Sequence, residues 1–259
     1  MVKRTKTEPE PTTTLAIRGA EALAVADGFD ANDHRGKENI TQDSITVPRL
    51  ALAQKTSPQL EPGKPEYMED LKLFQMFNTM TGEIYGAGPL AFAIVSYDER
   101  AIEFDATNKV VDFNVPLNDK RLLFPKNPDG TPVKNQDGTN KKPQATLFNN
   151  FLVLLVKSEF EGELVQLAMK GTQIKTAKRL NGFQTIRNGP AWGGIYELRS
   201  VSRPSGAFTV GGFEVKPIGP TPPAIVMQAD VIYTLLLAGK VKVQEPTNEA
   251  ETVDSNVPF

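Results

Sequence analysis

From Ile45 to Gly239 the apolar residues fall into short runs of β character, and two stretches break that pattern with helical spacing. Val47-Pro48-Arg49-Leu50-Ala51-Leu52 opens the series. Leu71 and Leu73, followed by Met76 and Phe77, predict a strand with a slip in phase. Thr81-Gly82-Glu83 then predicts a turn, with Ile84-Tyr85 starting the next strand. Leu90-Ala91-Phe92-Ala93-Ile94-Val95 and Phe151-Leu152-Val153-Leu154-Leu155-Val156 are continuous apolar runs, the signature of strands buried on both faces. Between them, Tyr97, Ile102 and Phe104 extend the first run or form its hairpin partner, and Val110 to Phe113 is a short strand. After Glu161-Gly162, Leu164 to Met169 alternates, with Leu164, Gln166 and Ala168 on one face. Tyr196 to Val201 and Phe208 to Val215 complete the strand series.

The first helical stretch is Thr172 to Leu180. Thr172 can cap it, Ile174, Ala177 and Leu180 share a face, and Gly182 lies just past the expected end. The second opens at Pro222-Pro223, carries Ile225, Val226, Ala229, Ile232, Tyr233, Leu236 and Leu237, and stops at Gly239. Between Asn118 and Pro143, Asn127-Pro128-Asp129-Gly130-Thr131 is echoed by Asn135-Gln136-Asp137-Gly138-Thr139, which predicts a protruding hairpin or finger. Together these elements predict a mainly β (α+β) chain. The leading candidate is the five-stranded closed barrel of the oligonucleotide-binding type, with an inserted finger and one or two helices.

The ends differ from this middle. Residues 1–44 are predominantly polar and predict a disordered segment, with a short alanine-rich helix at Leu15 to Val25. Residues 241–259 predict an acidic, solvated tail carrying four acids against one lysine, and 45–240 is the ordered domain between them. Over the chain 29 basic and 31 acidic residues give a net charge of −2, yet residues 46–240 hold 22 basic and 19 acidic residues, a net of +3. A mildly basic body with acidic ends points to polyanion handling. There is no cysteine, so neither a disulfide framework nor a thiolate metal site is available, and a reducing cytoplasm is the expected compartment. No apolar run reaches the roughly 18 residues of a membrane span, and no membrane partner is expected.

Positive charge concentrates in Lys170 to Arg203. Seven cations (Lys170, Lys175, Lys178, Arg179, Arg187, Arg199, Arg203) face one acid, Glu197, with Phe183, Trp192 and Tyr196 interleaved. Cations along a groove and flat rings on which bases stack are the two requirements of single-strand binding. On a helix, Lys175, Lys178 and Arg179 share the face opposite Ile174, Ala177 and Leu180. Trp192, the only tryptophan, sits among Gly and Pro and is either a stacking platform or a lid on the core. In the finger, Lys134, Lys141 and Lys142 either close over a strand or simply solubilise a surface hairpin. Phe148 and Phe151 differ by three and are expected on opposite faces, one of them on the binding side. Catalytic patterns are sparse. The only histidine, His34, lies in the polar N-terminal stretch, no phosphate-binding Gly-rich loop is present, and no cofactor or metal set is predicted. The acidic pairs Glu69-Asp70 and Asp98-Glu99 would need further carboxylates to hold Mg²⁺.

The last residues, Asp254…Val257-Pro258-Phe259, place an apolar tip on a polar stalk. They resemble the C-terminal tip of single-stranded DNA-binding proteins from bacteria and many phages. The stretch from Pro48 to Gln54 and Asn78-Thr79-Met80-Thr81-Gly82-Glu83-Ile84-Tyr85-Gly86 is similar to openings of phage-encoded proteins of this kind. The resemblance implies a non-enzymatic protein of the host cytoplasm that sequesters single-stranded DNA during phage replication and recombination. It also implies that Asp254, Val257, Pro258 and Phe259 recruit replication or repair enzymes. Two other classes stay open: a metal-dependent nuclease using scattered carboxylates, and a phage accessory or structural protein without a nucleic-acid role. Monomer and homodimer are both compatible with the sequence.

Overall fold

A computed structural model describes residues 46–105, 107, 109–136, 138–156, 160–205, 208–238 and 242–243. The expectations for residues 1–44, for His34 and for the tail with Asp254, Val257, Pro258 and Phe259 lie outside these residues. The elements in chain order are β1 (Thr46–Val47), β2 (Arg49–Leu52), β3 (Met76–Asn78), β4 (Ile84–Gly86), β5 (Leu90–Phe104), β6 (Val110–Val115), β7 (Ala145–Val156), β8 (Leu164–Lys170), α1 (Ile174–Ile186), β9 (Gly194–Ser205), β10 (Phe208–Pro220), α2 (Pro223–Leu237) and β11 (Lys242–Val243). The chain is mainly β, with a curled half-barrel sheet and two helices. The large sheet runs β10-β9-β5-β7-β8-β2-β3-β4, with β6 also paired to β5. A separate parallel pair, β1 with β11, sets the entry of the domain beside its exit.

The two continuous apolar runs are the central strands β5 and β7, paired antiparallel from Ala91↔Val156 through Glu103↔Ala145. Successive side chains of a strand point to opposite faces, and here each face has its own core. Phe92, Ile94, Phe151, Val153 and Leu155 lie on the side covered by Ala177 and Leu180 of α1, with Leu50, Leu52 and Met76. Ala93, Val95, Leu152, Leu154 and Val156 lie on the other, under Ile225 and Ala229 of α2. A register shift between Ile94 and Ser96 changes the phase of β5, so that Tyr97 pairs with Phe151 and joins the α1 side.

The curl ends in a seam. The backbone ladder runs from β10 to β4 without closing, so the expected closed barrel is replaced by an open one. Across the seam the Gln54 side-chain amide takes the place of a strand neighbour: its Nε2 donates to Gly211 O and its Oε1 accepts from Gly211 N, both at 3.1 Å. Only glycine fits there, because a Cβ at 211 would stand 2.6 Å from Phe74 Cδ1 and 2.9 Å from Leu52 Cδ2. Phe74 itself has φ +64° and is held by its amide bond to Ala53 O at 2.8 Å.

Three local expectations change. Residues 71–75 form turns, and the strand predicted through Leu71 and Leu73 is confined to Met76–Asn78. α1 runs through Gly182 to Ile186. An interior glycine costs about 1 kcal/mol, and the packing of Phe183 against the core offsets it. Thr172 makes no cap, because a 3₁₀ turn over Gly171–Gln173 leads into the helix. The finger is two consecutive hairpins. Each closes with the same bonds: Asn127 N to Thr131 O at 2.8 Å and Asn135 N to Thr139 O at 2.7 Å, each with an Asn-to-Thr side-chain bond of 3.0 Å. Gly130 and Gly138 supply the positive φ that these turns require.

Candidate functional site

α1 carries the most concentrated free charge of the basic segment. Its inner face buries Thr176, Ala177 and Leu180, and the Thr176 hydroxyl donates to Phe213 O at 2.9 Å, tying the helix to β10. That geometry turns Lys175, Lys178 and Arg179 outward, and all three are exposed. No carboxylate among the described residues pairs with them. Like charges at i, i+3 and i+4 cost about 0.2–0.5 kcal/mol per pair, a cost met here by burial of the opposite face.

The other cations of the segment do not form one surface with this face. Lys170, at the end of β8, lies over the Phe148 ring at 5.6 Å. With Arg49, Gln54, Gln173 and Phe213 it lines a cleft of about 70 Å³ beside the seam. Arg179 lies over Phe183 at 5.4 Å and Arg187 over Tyr196 at 5.6 Å. Arg199 and Arg203 are on β9 in phase with Ile195, which belongs to the α2-side core, and so point away from α1. Arg199 is also committed to Glu197 at 2.6 Å, an acid that takes Lys216 as well at 3.0 Å. These two cations hold the Glu197 carboxyl below the usual range.

The aromatic half of the expected site is corrected. Trp192 is 9 % exposed, in a 3₁₀ turn over Ala191–Gly193 packed under α2, its ring 5.1 Å from Tyr233. The lid alternative is the observed one. Tyr196 is fully buried between Phe92 at 5.7 Å and Phe183 at 6.4 Å. Phe148 and Phe151 are both buried as well, so neither faces a binding side. All of these rings fill space between sheet and helices, where burying their area gains more than exposing them.

In the finger, Lys134, Lys141 and Lys142 are exposed. Its base is anchored by Arg121, whose guanidinium reaches Glu103 at 2.6 Å, Asp119 at 2.9 Å and Asp112 at 3.0 Å. Arg121 holds Asp119 below the usual carboxyl range, and the Asn114 amide, with Arg121, does so for Asp112. The finger therefore attaches to the β5–β6 hairpin.

Two features escape sequence reading. Tyr97 is 38 % exposed, with its ring 4.9 Å from Phe151 and its hydroxyl donating to Asn149 Oδ1 at 2.8 Å. Burial raises its pKa, and Asn181 of α1, next to the hydroxyl, partly offsets the rise. Asn181 follows Lys178 by three residues, so Tyr97 is a half-open ring flanking the basic helix face. The phase shift in β5 put it there, and a bulge leaves no mark in composition. The second feature is a buried polar cluster. Glu163, 3 % exposed, accepts from the Tyr85 hydroxyl at 2.7 Å and from Asn78 Nδ2 at 2.5 Å, and Asn78 Nδ2 also reaches Tyr85 Oη at 3.1 Å. Burial pushes both the Glu163 carboxyl and the Tyr85 hydroxyl upward. The cluster fastens β3 and β4 to the turn before β8.

Among the described residues no three His, Asp or Glu side chains converge as a metal set, and no helix is long and apolar enough to cross a membrane. The profile of a family described as Pam3 phage gp34-like protein matches residues 18–242. No curated protein and no solved structure matches the chain.

Proposed function

The chain belongs to the Pam3 phage gp34-like family, and from that premise we propose that it is a phage single-stranded DNA-binding protein. The curled sheet is then an oligonucleotide-binding type of barrel, opened along the Gln54–Gly211 seam. The observation that carries this reading is the exposed triad Lys175, Lys178 and Arg179, without an acidic partner among the described residues. Three fixed cations about one helical turn apart suit a phosphate backbone, and Tyr97 beside them suits one stacked base. Neither contact reads base edges, so binding is sequence-tolerant. Lys134, Lys141 and Lys142 extend the positive field along the finger. The tail tip, Asp254 with Val257, Pro258 and Phe259, recruits replication or repair enzymes, and the protein works in the host cytoplasm without catalysis of its own.

The test is a fluorescence anisotropy titration with labelled oligo(dT) at several salt concentrations, comparing the wild type with Lys175→Glu/Lys178→Glu/Arg179→Glu. Losing three phosphate contacts should lower the slope of log K against log salt by about 2, from about 0.7 per contact on single strands. Affinity at low salt should drop at least about tenfold, with an unchanged melting temperature, since the three side chains contribute nothing to the core. Tyr97→Ala should weaken binding by about 1–3 kcal/mol. Equal affinity of the triple variant, or tighter wild-type binding to duplex than to oligo(dT), would sink the proposal.

A further inference from the structure

α2 is apolar on every side, and Asp230 is the one charge among its fifteen residues. Its inner face is accounted for: Ile225 and Ala229 are buried, and Val226, Ile232, Tyr233 and Leu236 pack against the same core. A helix that is apolar all round is normally covered all round. Yet Ala224, Met227, Val231, Leu235 and Ala238 are all exposed, with Met227 at 69 %, Val231 at 58 % and Leu235 at 37 %.

The order of these five residues identifies what covers them. Read outward from Val231, the stripe is the same in both directions: a large unbranched or γ-branched chain four residues away, then an alanine three further. At 100° per residue the five fall within an arc of about 80°, along about 21 Å of helix. Such a stripe is complementary to itself turned end for end. A two-fold axis through Val231 sets Val231 on Val231, Met227 on Leu235 and Ala224 on Ala238, the reciprocal pattern of an isologous contact. The i, i+4 ridge of Met227, Val231 and Leu235 is the one that interdigitates in the commonest helix pairing, and the flanking alanines let the ends close. Antiparallel placement also sets the positive N-terminal end of each helix against the negative C-terminal end of the other.

We propose that this stripe is the interface of a homodimer, α2 packed antiparallel on α2 about a two-fold axis at Val231. The stripe and its rim expose about 500 Å² per copy, a typical functional patch, and about 1,000 Å² over both copies, the lower bound of a specific interface. The dimer is therefore reversible, with a dissociation constant on the order of 10 µM.

The absence of cysteine in the chain makes the register directly testable. Sedimentation velocity on the full chain from about 1 to 200 µM should show a monomer–dimer transition. With helix axes 8–10 Å apart the two Val231 Cα atoms lie within the roughly 7 Å that a disulfide spans, so the Val231→Cys variant should link to itself under mild oxidation. A Met227→Cys chain mixed with a Leu235→Cys chain should be joined by a short bismaleimide at least about fivefold faster than either alone, which only the antiparallel register explains. Val231→Asp should raise the dissociation constant at least about tenfold by facing two carboxylates across the axis, with an unchanged melting temperature because the position is exposed in the monomer. A monomer at every concentration overturns the proposal. So does a dimer that survives Val231→Asp and gives no Val231→Cys link, since another surface then forms it. A monomer whose introduced thiol stays unreactive overturns it as well, because the chain then covers the stripe itself.

Discussion

Replacing Trp192 by alanine distinguishes a core role from a binding role in one pair of measurements. The ring is 9 % exposed and wedged between Tyr233 and the Ala93–Val95 side of the sheet. Taking roughly 200 Å² of aromatic surface from water is worth about 5 kcal/mol at 25 cal/mol/Å². Residual compactness of the unfolded chain lowers this, and measured Trp→Ala losses in cores run at about 3–5 kcal/mol. For a domain of this size that loss lowers the melting temperature by about 6–20 °C. Trp192→Phe keeps most of the contact and should recover more than half of the loss. The assay is thermal denaturation by circular dichroism beside an oligo(dT) titration performed well below the variant's own transition. The wild-type tryptophan emission should be blue-shifted when folded, red-shifted on unfolding and little changed by oligo(dT). A Trp192→Ala variant that melts like the wild type while binding weakens at least tenfold would refute the burial argument and return the ring to a stacking role.

The seam and the buried carboxyl give two further expectations. Gly211→Ala forces a methyl into Phe74 and Leu52 and displaces the Gln54 amide, so it should cost about 1–3 kcal/mol in urea unfolding. Gln54→Ala should cost about 1 kcal/mol or more by leaving Gly211 unpaired, and a Gly211→Ala chain as stable as the wild type would mean that the seam does not close as described. Glu163 has its folded pKa raised above the ordinary 4.5, first by burial. Its contribution is thus complete below pH 4.5 and is lost as pH rises through the folded value. Glu163→Gln keeps an acceptor for Tyr85 and Asn78 without the charge, so its melting temperature relative to wild type should climb between pH 4 and 8. A constant difference across that range would contradict a raised carboxyl.

Much of the scaffold was readable because burial on both faces demands an unusual composition. Leu90–Val95 and Phe151–Val156 have no polar position in six residues each, and a strand with two apolar faces needs a layer on either side. The two helices supply those layers. Element ends were harder to read, for reasons that act over distance. Gly182 is a stop signal in isolation, but Phe183 one residue later finds the core across the helix, and tertiary packing outweighs a local cost of about 1 kcal/mol. The seam was hidden for a similar reason. Gln54 and Gly211 are 157 positions apart, and neither an amide side chain nor a glycine announces a strand neighbour.

The interleaving of cations with rings between Lys170 and Arg203 has two physical origins that look alike in sequence. A cation over a ring within the protein gains about 0.5–2 kcal/mol, and a base stacked on an exposed ring gains about 1–3 kcal/mol. Energies that close favour the same residue types at the same spacing, so composition alone does not separate self-contained pairs from a nucleic-acid groove. Geometry does. Lys170 on Phe148, Arg179 on Phe183 and Arg187 on Tyr196 are three such pairs within the segment. Tyr196 has Phe92 and Phe183 about it as well, which leaves it no free face for a base. What stays available is the part of each pair that points outward, the α1 cations, together with Tyr97, a ring contributed by a different strand. Any groove for a polyanion on this face is therefore made of charge from α1 and a ring from β5, two elements 77 residues apart from Tyr97 to Ile174, and neither stretch alone carries both halves of the site.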